Sequence, residues 1–214
     1  MTTLRRAACI FALVLAAAAF AAPAAALDAR VTEIRVAGGS IRASIEIRDM
    51  FPQKFQSILE DGAAIHLRLQ IELWEDRMWD KLAQPAAVTV FRIMLDPSTR
   101  QVKVADQYGE VSRQPAWQEP LVLRLDLGRA DALSDSGNYY VRVLATLGTV
   151  AEKESERAGN AVFGDDDSTV SLAGMGKMLF HAVLSVNDYL QSVSAESRTR
   201  NVSGREMKAA IKLQ

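Results

Sequence analysis

The chain has 214 residues, with 25 lysines and arginines against 26 aspartates and glutamates, and a single cysteine. A net charge of −1 without basic blocks argues against nucleic acid as a main partner. One cysteine leaves no intrachain disulfide, dithiol pair or multi-thiolate metal site, so stability has to come from an ordinary apolar core, for which the length is ample.

Met1 to Arg6 carries two arginines and no acid, Ala7 to Ala22 is an unbroken apolar run, and Pro23-Ala24-Ala25-Ala26 places small residues before Leu27. That order is the three-part pattern of a secretory signal, and it predicts cleavage after Ala26, which would remove Cys9 as well. An uncleaved anchor is the rival, but the apolar run falls short of the roughly 20 residues that a span needs. The residues after Arg5-Arg6 lack the bulk of a twin-arginine signal. Cys9 lies before the apolar run, where an acylated cysteine would follow it. The expected location is therefore periplasmic or otherwise exported, with no membrane span left after cleavage.

Beyond Leu27 the pattern is one of strands. Ile41, Ala43, Ile45 and Ile47 alternate with Arg42, Ser44, Glu46 and Arg48, and Ile65, Leu67, Leu69, Ile71 and Leu73 alternate with His66, Arg68, Gln70, Glu72 and Trp74. Leu121 to Leu127 and Tyr139 to Ala145 repeat the alternation. A period of two marks a strand with one buried and one solvated face. Weaker runs at Val31–Val36, Val88–Leu95 and Gln101–Ala105 raise the expected number to about seven. Gly38-Gly39 and Asp96-Pro97-Ser98-Thr99 read as hairpin turns, and a change of apolar phase between Val90 and Phe91 predicts a β-bulge. The expected fold is mainly β, an antiparallel immunoglobulin-like sandwich over residues 27–150. One short helix interrupts it, with Asp49 as N-cap, Pro52 in the first turn and Gly62 at its end. Its Phe51, Phe55, Ile58 and Leu59 share a face that would plug the sandwich.

Residues 151–171 read as an acidic loop. Leu172, Met175, Leu179, Ala182, Val186, Tyr189 and Val193 then recur at spacings of three and four, which predicts a long amphipathic helix over 172–194. Its Lys177, His181, Asn187 and Asp188 argue against a membrane span. Residues 195–214 hold few apolar side chains and read as a loosely ordered tail.

The stretch Trp74 to Asp80 is the first candidate site, since Trp74, Arg77 and Trp79 would suit a contact patch. The usual burial of large aromatics favours the alternative, that both indoles fold back over the sandwich end with Arg77 stacked on one of them. Arg42, Arg48, Arg68, Arg92, Arg124 and Arg142 lie on polar strand faces and could bind anions together. Glu46, Glu72 and Asp126 on the same faces favour cross-strand ion pairs instead. Asp165-Asp166-Asp167 could offer oxygens to calcium, but it lacks the glycine and distal glutamate of an EF-hand and suits a helix N-terminus better. No nucleophile motif or paired-histidine spacing surrounds His66 or His181, and neither a cofactor nor a metal site is expected. A carboxylate pair of Glu72 with Asp76 or Asp80 would leave no signature.

The segment "IEIRDMFPQKFQSILEDGAAIHLRLQIELWEDRMWDKL" resembles a family of exported bacterial proteins catalogued as a domain of unknown function. The resemblance rests on Phe55, Leu59, Gly62, Leu69, Leu73, Trp74, Trp79 and Asp80 and extends over about residues 31–147. It implies an extracytoplasmic β-domain and assigns no catalytic residue.

The expected function is a non-catalytic binding or structural module of the bacterial cell envelope, whose partner would be another envelope protein. The alternatives are a carrier of an apolar ligand, with the helix as a lid over a cavity behind Leu179, Val183 and Val186, or a carboxylate-based hydrolase.

Overall fold

The computed structural model describes residues 26–150, 189–209 and 211–213. The signal-like segment, the acidic loop and the expected helix as far as residue 188, with Leu179, Val183 and Val186, lie outside the described residues.

The alternating runs form strands where expected. Asp28–Ala37 (β1) and Ser40–Arg48 (β2) make a hairpin turning at Gly38-Gly39, where both glycines hold positive φ (60° and 80°), a conformation open to glycine at no steric cost. Gln53–Glu60 (α1) follows, and then Ile65–Glu75 (β3), Lys81–Leu82 (β4), Ala87–Asp96 (β5), Gln101–Ala105 (β6), Val111–Pro115 (β7), Leu121–Arg129 (β8) and Asn138–Val150 (β9). Beyond the undescribed segment come Tyr189–Arg198 (β10), Val202–Ser203 (β11), Gly204–Lys208 (α2) and Ile211–Lys212 (β12).

Two antiparallel sheets result. The smaller has the order β12-β1-β2-β8; the larger runs β10-β9-β3-β5-β6-β7, with β4 pairing β3 and β11 pairing β9. Their inward side chains belong to one core: Ile34, Ile41, Ile45 and Ile47 from the small sheet, and Leu67, Leu69, Ile93, Val102, Val141 and Leu147 from the large. Each is essentially fully buried, contributing roughly 1.5–3 kcal/mol apiece by removal from water. The fold is thus mainly β, with two antiparallel sheets packed as a sandwich.

α1 closes one end of this core. Phe55 and Leu59 are buried, and the helix sits against β3 and β5. Gly62, at φ 83°, lets the chain leave the helix. Asp49 is not the N-cap, however. Pro52 occupies that position without a side-chain cap, while Asp49 holds a φ of 56°. The Glu119 carboxylate accepts hydrogen bonds from the backbone N–H of Asp49 (2.8 Å) and Met50 (2.9 Å), which fixes the chain ahead of the helix without capping its first turn.

Three further expectations need correction. The bulge between Val90 and Phe91 is absent, since β3 and β5 stay in unbroken register from Ile65↔Ile93 to Ile71↔Ala87. Val88 and Val90 lie instead on the outer face, opposite Gln70 and Arg68. Residues 189–194 are not helical but open strand β10, which pairs with β9. The tail after residue 194 is ordered: Val202, Met207 and Leu213 are buried, and α2 begins with a capping box in which Ser203 and Glu206 bond each other's backbone N–H.

Candidate functional site

Strand pairing brings the aromatic end of β3 together with two strands on its other side. Trp74 is the register partner of Tyr140 on β9. Their rings stack with centroids 6.4 Å apart and planes within 8°. On Tyr140, the Arg198 guanidinium from β10 lies 3.5 Å from the ring centroid, a cation–π contact of roughly 0.5–2 kcal/mol. Trp74, Tyr140 and Arg198 therefore form one platform across β3, β9 and β10.

Polar contacts fix its underside. Glu72, buried on the outer face, accepts hydrogen bonds from Trp74 Nε1 (2.9 Å) and Gln70 Nε2 (2.6 Å). Arg142 reaches Glu72 at 3.5 Å and Glu196 of β10 at 2.8 Å. The hydrogen bond from Arg142 holds the Glu196 carboxyl below the ordinary carboxylate range, and Glu196 in turn raises Arg142. Burial, and then its hydrogen bond to Asp80, raise the Tyr140 phenol.

The short connection from β3 to β4 rises beside this platform. Both of its ends are held: the Asp76 N–H donates to Asn138 O (2.8 Å), the Asp76 carboxylate accepts from Asn201 Nδ2, and Asp80 accepts from the Tyr140 hydroxyl (2.8 Å). Between these anchors Met78 is 93% and Trp79 83% exposed. Large apolar side chains are rarely left so bare, and two in succession on a fixed turn suit contact with another surface.

The two expected tryptophans thus separate. Trp74 folds into the platform and Trp79 projects from the tip. Arg77 does not stack on an indole; its guanidinium pairs with Glu75 at 2.5 Å, and the stacking cation is Arg198. Met78, Tyr140 and Arg198 were not legible as site residues. Tyr140 could have been found, since it lies on the same polar strand face as Arg142. Arg198 could not, because its strand read as a loose tail.

The arginine stripe is divided between sheets. Arg42, Arg48 and Arg124 belong to β2 and β8, while Arg68, Arg92 and Arg142 belong to β3, β5 and β9. Arg142 and Glu72, register partners on β9 and β3, form the expected kind of cross-strand pair at 3.5 Å, while Arg48 pairs with Glu46 along one strand at 3.0 Å. Glu72, Asp76 and Asp80 accept from three different side chains, Trp74, Asn201 and Tyr140. Among the described residues no group of three or more histidines, cysteines, aspartates and glutamates could hold a metal ion, and no helix is long and apolar enough to cross a membrane. His66, expected on a solvated face, is 8% exposed. Burial and then the neighbouring Arg92 lower its pKa to about 4.

Compared with known protein families, with curated proteins and with solved structures, the chain matches none.

Proposed function

We propose that this chain is a non-catalytic binding module of the bacterial cell envelope, built on a sandwich of immunoglobulin-like shape and exported by its N-terminal signal. The single observation that carries the reading is the Met78–Trp79 tip: bare, apolar and held at both ends by hydrogen bonds. A prearranged aromatic contact loses little freedom on binding, which is why such residues dominate interface energies.

The carrier reading has less support. Its cavity would lie behind Leu179, Val183 and Val186, outside the described residues, and the core side chains Ile34, Ile41, Ile45, Leu67, Leu69 and Ile93 are themselves fully buried. A hydrolase would need acids that converge, and Glu72, Asp76 and Asp80 are each bound elsewhere.

The test uses Trp79→Ala. Exposed as it is, Trp79 should be removable at a cost within about 0.5 kcal/mol of stability, with an unchanged melting curve. The same substitution should weaken retention of an envelope protein on the immobilised chain by at least about 2 kcal/mol, as for a hot-spot residue. Retention of the same proteins by Trp79→Ala and by Met78→Ala with Trp79→Ala would remove the tip from the proposal.

A further inference from the structure

A second surface is built quite differently. β8 ends the small sheet, with β2 as its one strand neighbour among the described residues. The large sheet does not stop there. β8 lies over β3, and the large sheet continues past it through β5, β6 and β7. Where the small sheet lacks a next strand there is a groove of about 750 Å³, walled by Val122–Asp126 of β8 on one side and by β5, β6 and the β6–β7 turn on the other.

The composition of this groove sets it apart. Five large apolar residues are exposed among those described: Met78 and Trp79 at the tip, and Tyr108, Val111 and Val122. All of the last three line the groove, with Phe91 and Val104 beneath them. The two free edges near it also differ. β7 is short, exposed and carries Arg113 and Pro115, features that discourage edge pairing. β8 has nine residues, no proline and a regular alternation, and among the described residues no second strand pairs with its outer edge.

We infer that β8 and this groove form a strand-addition site for an extended segment of another protein. The guest backbone would hydrogen-bond to β8, and its alternate side chains would lie over Phe91, Val104 and Tyr108. The five residues Val122–Asp126 offer about 17 Å of edge at strand rise. Asp106, Glu110 and Asp126 line the groove against Arg124 alone, so the guest carries apolar residues alternating with lysine or arginine. This site goes beyond the tip proposed above and does not depend on it.

The experiment adds a blocked peptide of alternating valine and lysine to the full chain and follows amide hydrogen exchange. Exchange at Val122–Asp126 should slow, and exchange at Asp76–Asp80 should not change. Val122→Lys, a change at a half-exposed outer position, should weaken binding by about tenfold or more, as should replacing the peptide's lysines by glutamates. N-methylation of alternate peptide nitrogens should abolish protection. Unchanged exchange at β8 in millimolar peptide would overturn the inference. So would undiminished binding of the N-methylated peptide, or a dimer in which β8 is already protected by a second copy of the chain.

Discussion

Phe55→Ala is expected to lower the free energy of unfolding by about 3–5 kcal/mol, the usual result of emptying a large aromatic site in a close-packed core. The side chain is 1% exposed and comes from α1, whose few residues bury only Phe55 and Leu59 fully. A helix this short is unstable alone and is held by what it buries. The neighbouring Phe51 and Trp117 rings meet edge to face at 5.5 Å and 69°, and Glu119 holds the backbone at Asp49 and Met50, so the entry to the helix is fixed and cannot collapse easily into the void. Urea unfolding of both proteins measures the difference. A loss below about 1 kcal/mol would show that α1 does not plug the core.

That helix and the main strands were legible because their signals are dense. In β3, five inward apolar residues alternate with five outward ones, and no helix could bury such a set on one side. The bulge wrongly expected in β5 came from the same rule applied too strictly. Val88 and Val90 are apolar on the outer face, so the phase changes without any change in register. A face assigned to solvent can be apolar, and His66, Glu72 and Thr146 show that it can be buried as well.

The C-terminal error has a different physical origin. Tyr189 and Val193 are four apart, which is close to one helical turn but also two full strand repeats. Extending the preceding stripe through them could not distinguish the two periods. In β10 the inward residues after Val193 are Ala195 and Ser197, opposite Ala145 and Val143, too small to announce a strand. The low apolar content of the tail argues for loose order, yet Val202, Met207 and Leu213 each reach the core. Ser203 and Glu206 carry a capping-box spacing that would have revealed α2. The candidate site suffered accordingly: Trp74 and Trp79 were visible in the sequence, whereas the Arg198 side of the platform depended on a strand that was not.

His66 should make stability fall with acid over a defined range. It lies on β3 with Arg92 opposite on β5 and Gly148 opposite on β9, Arg68 is two residues along the same face, and its Nδ1 has no hydrogen-bond partner among the described residues. Burial and Arg92 both disfavour the imidazolium, giving a folded pKa of about 4 against 6.5 for the unfolded chain. Above pH 6.5 both states are neutral and the group is silent. As pH falls from 6.5 towards 4, the unfolded state takes up a proton that the folded state refuses, so stability drops; below about 4 both are protonated and the drop ends. The full loss is about 3 kcal/mol. The acids held low by ion pairs, such as Asp135 with Lys208, act in a more acidic window and are common to any variant that spares them. Unfolding curves of the parent chain and His66→Gln, measured at intervals between these two pH values, should therefore diverge, with the parent losing about 3 kcal/mol more. Parallel curves would mean that His66 can be protonated where it stands, and that this part of the sheet's outer face is open to water in solution.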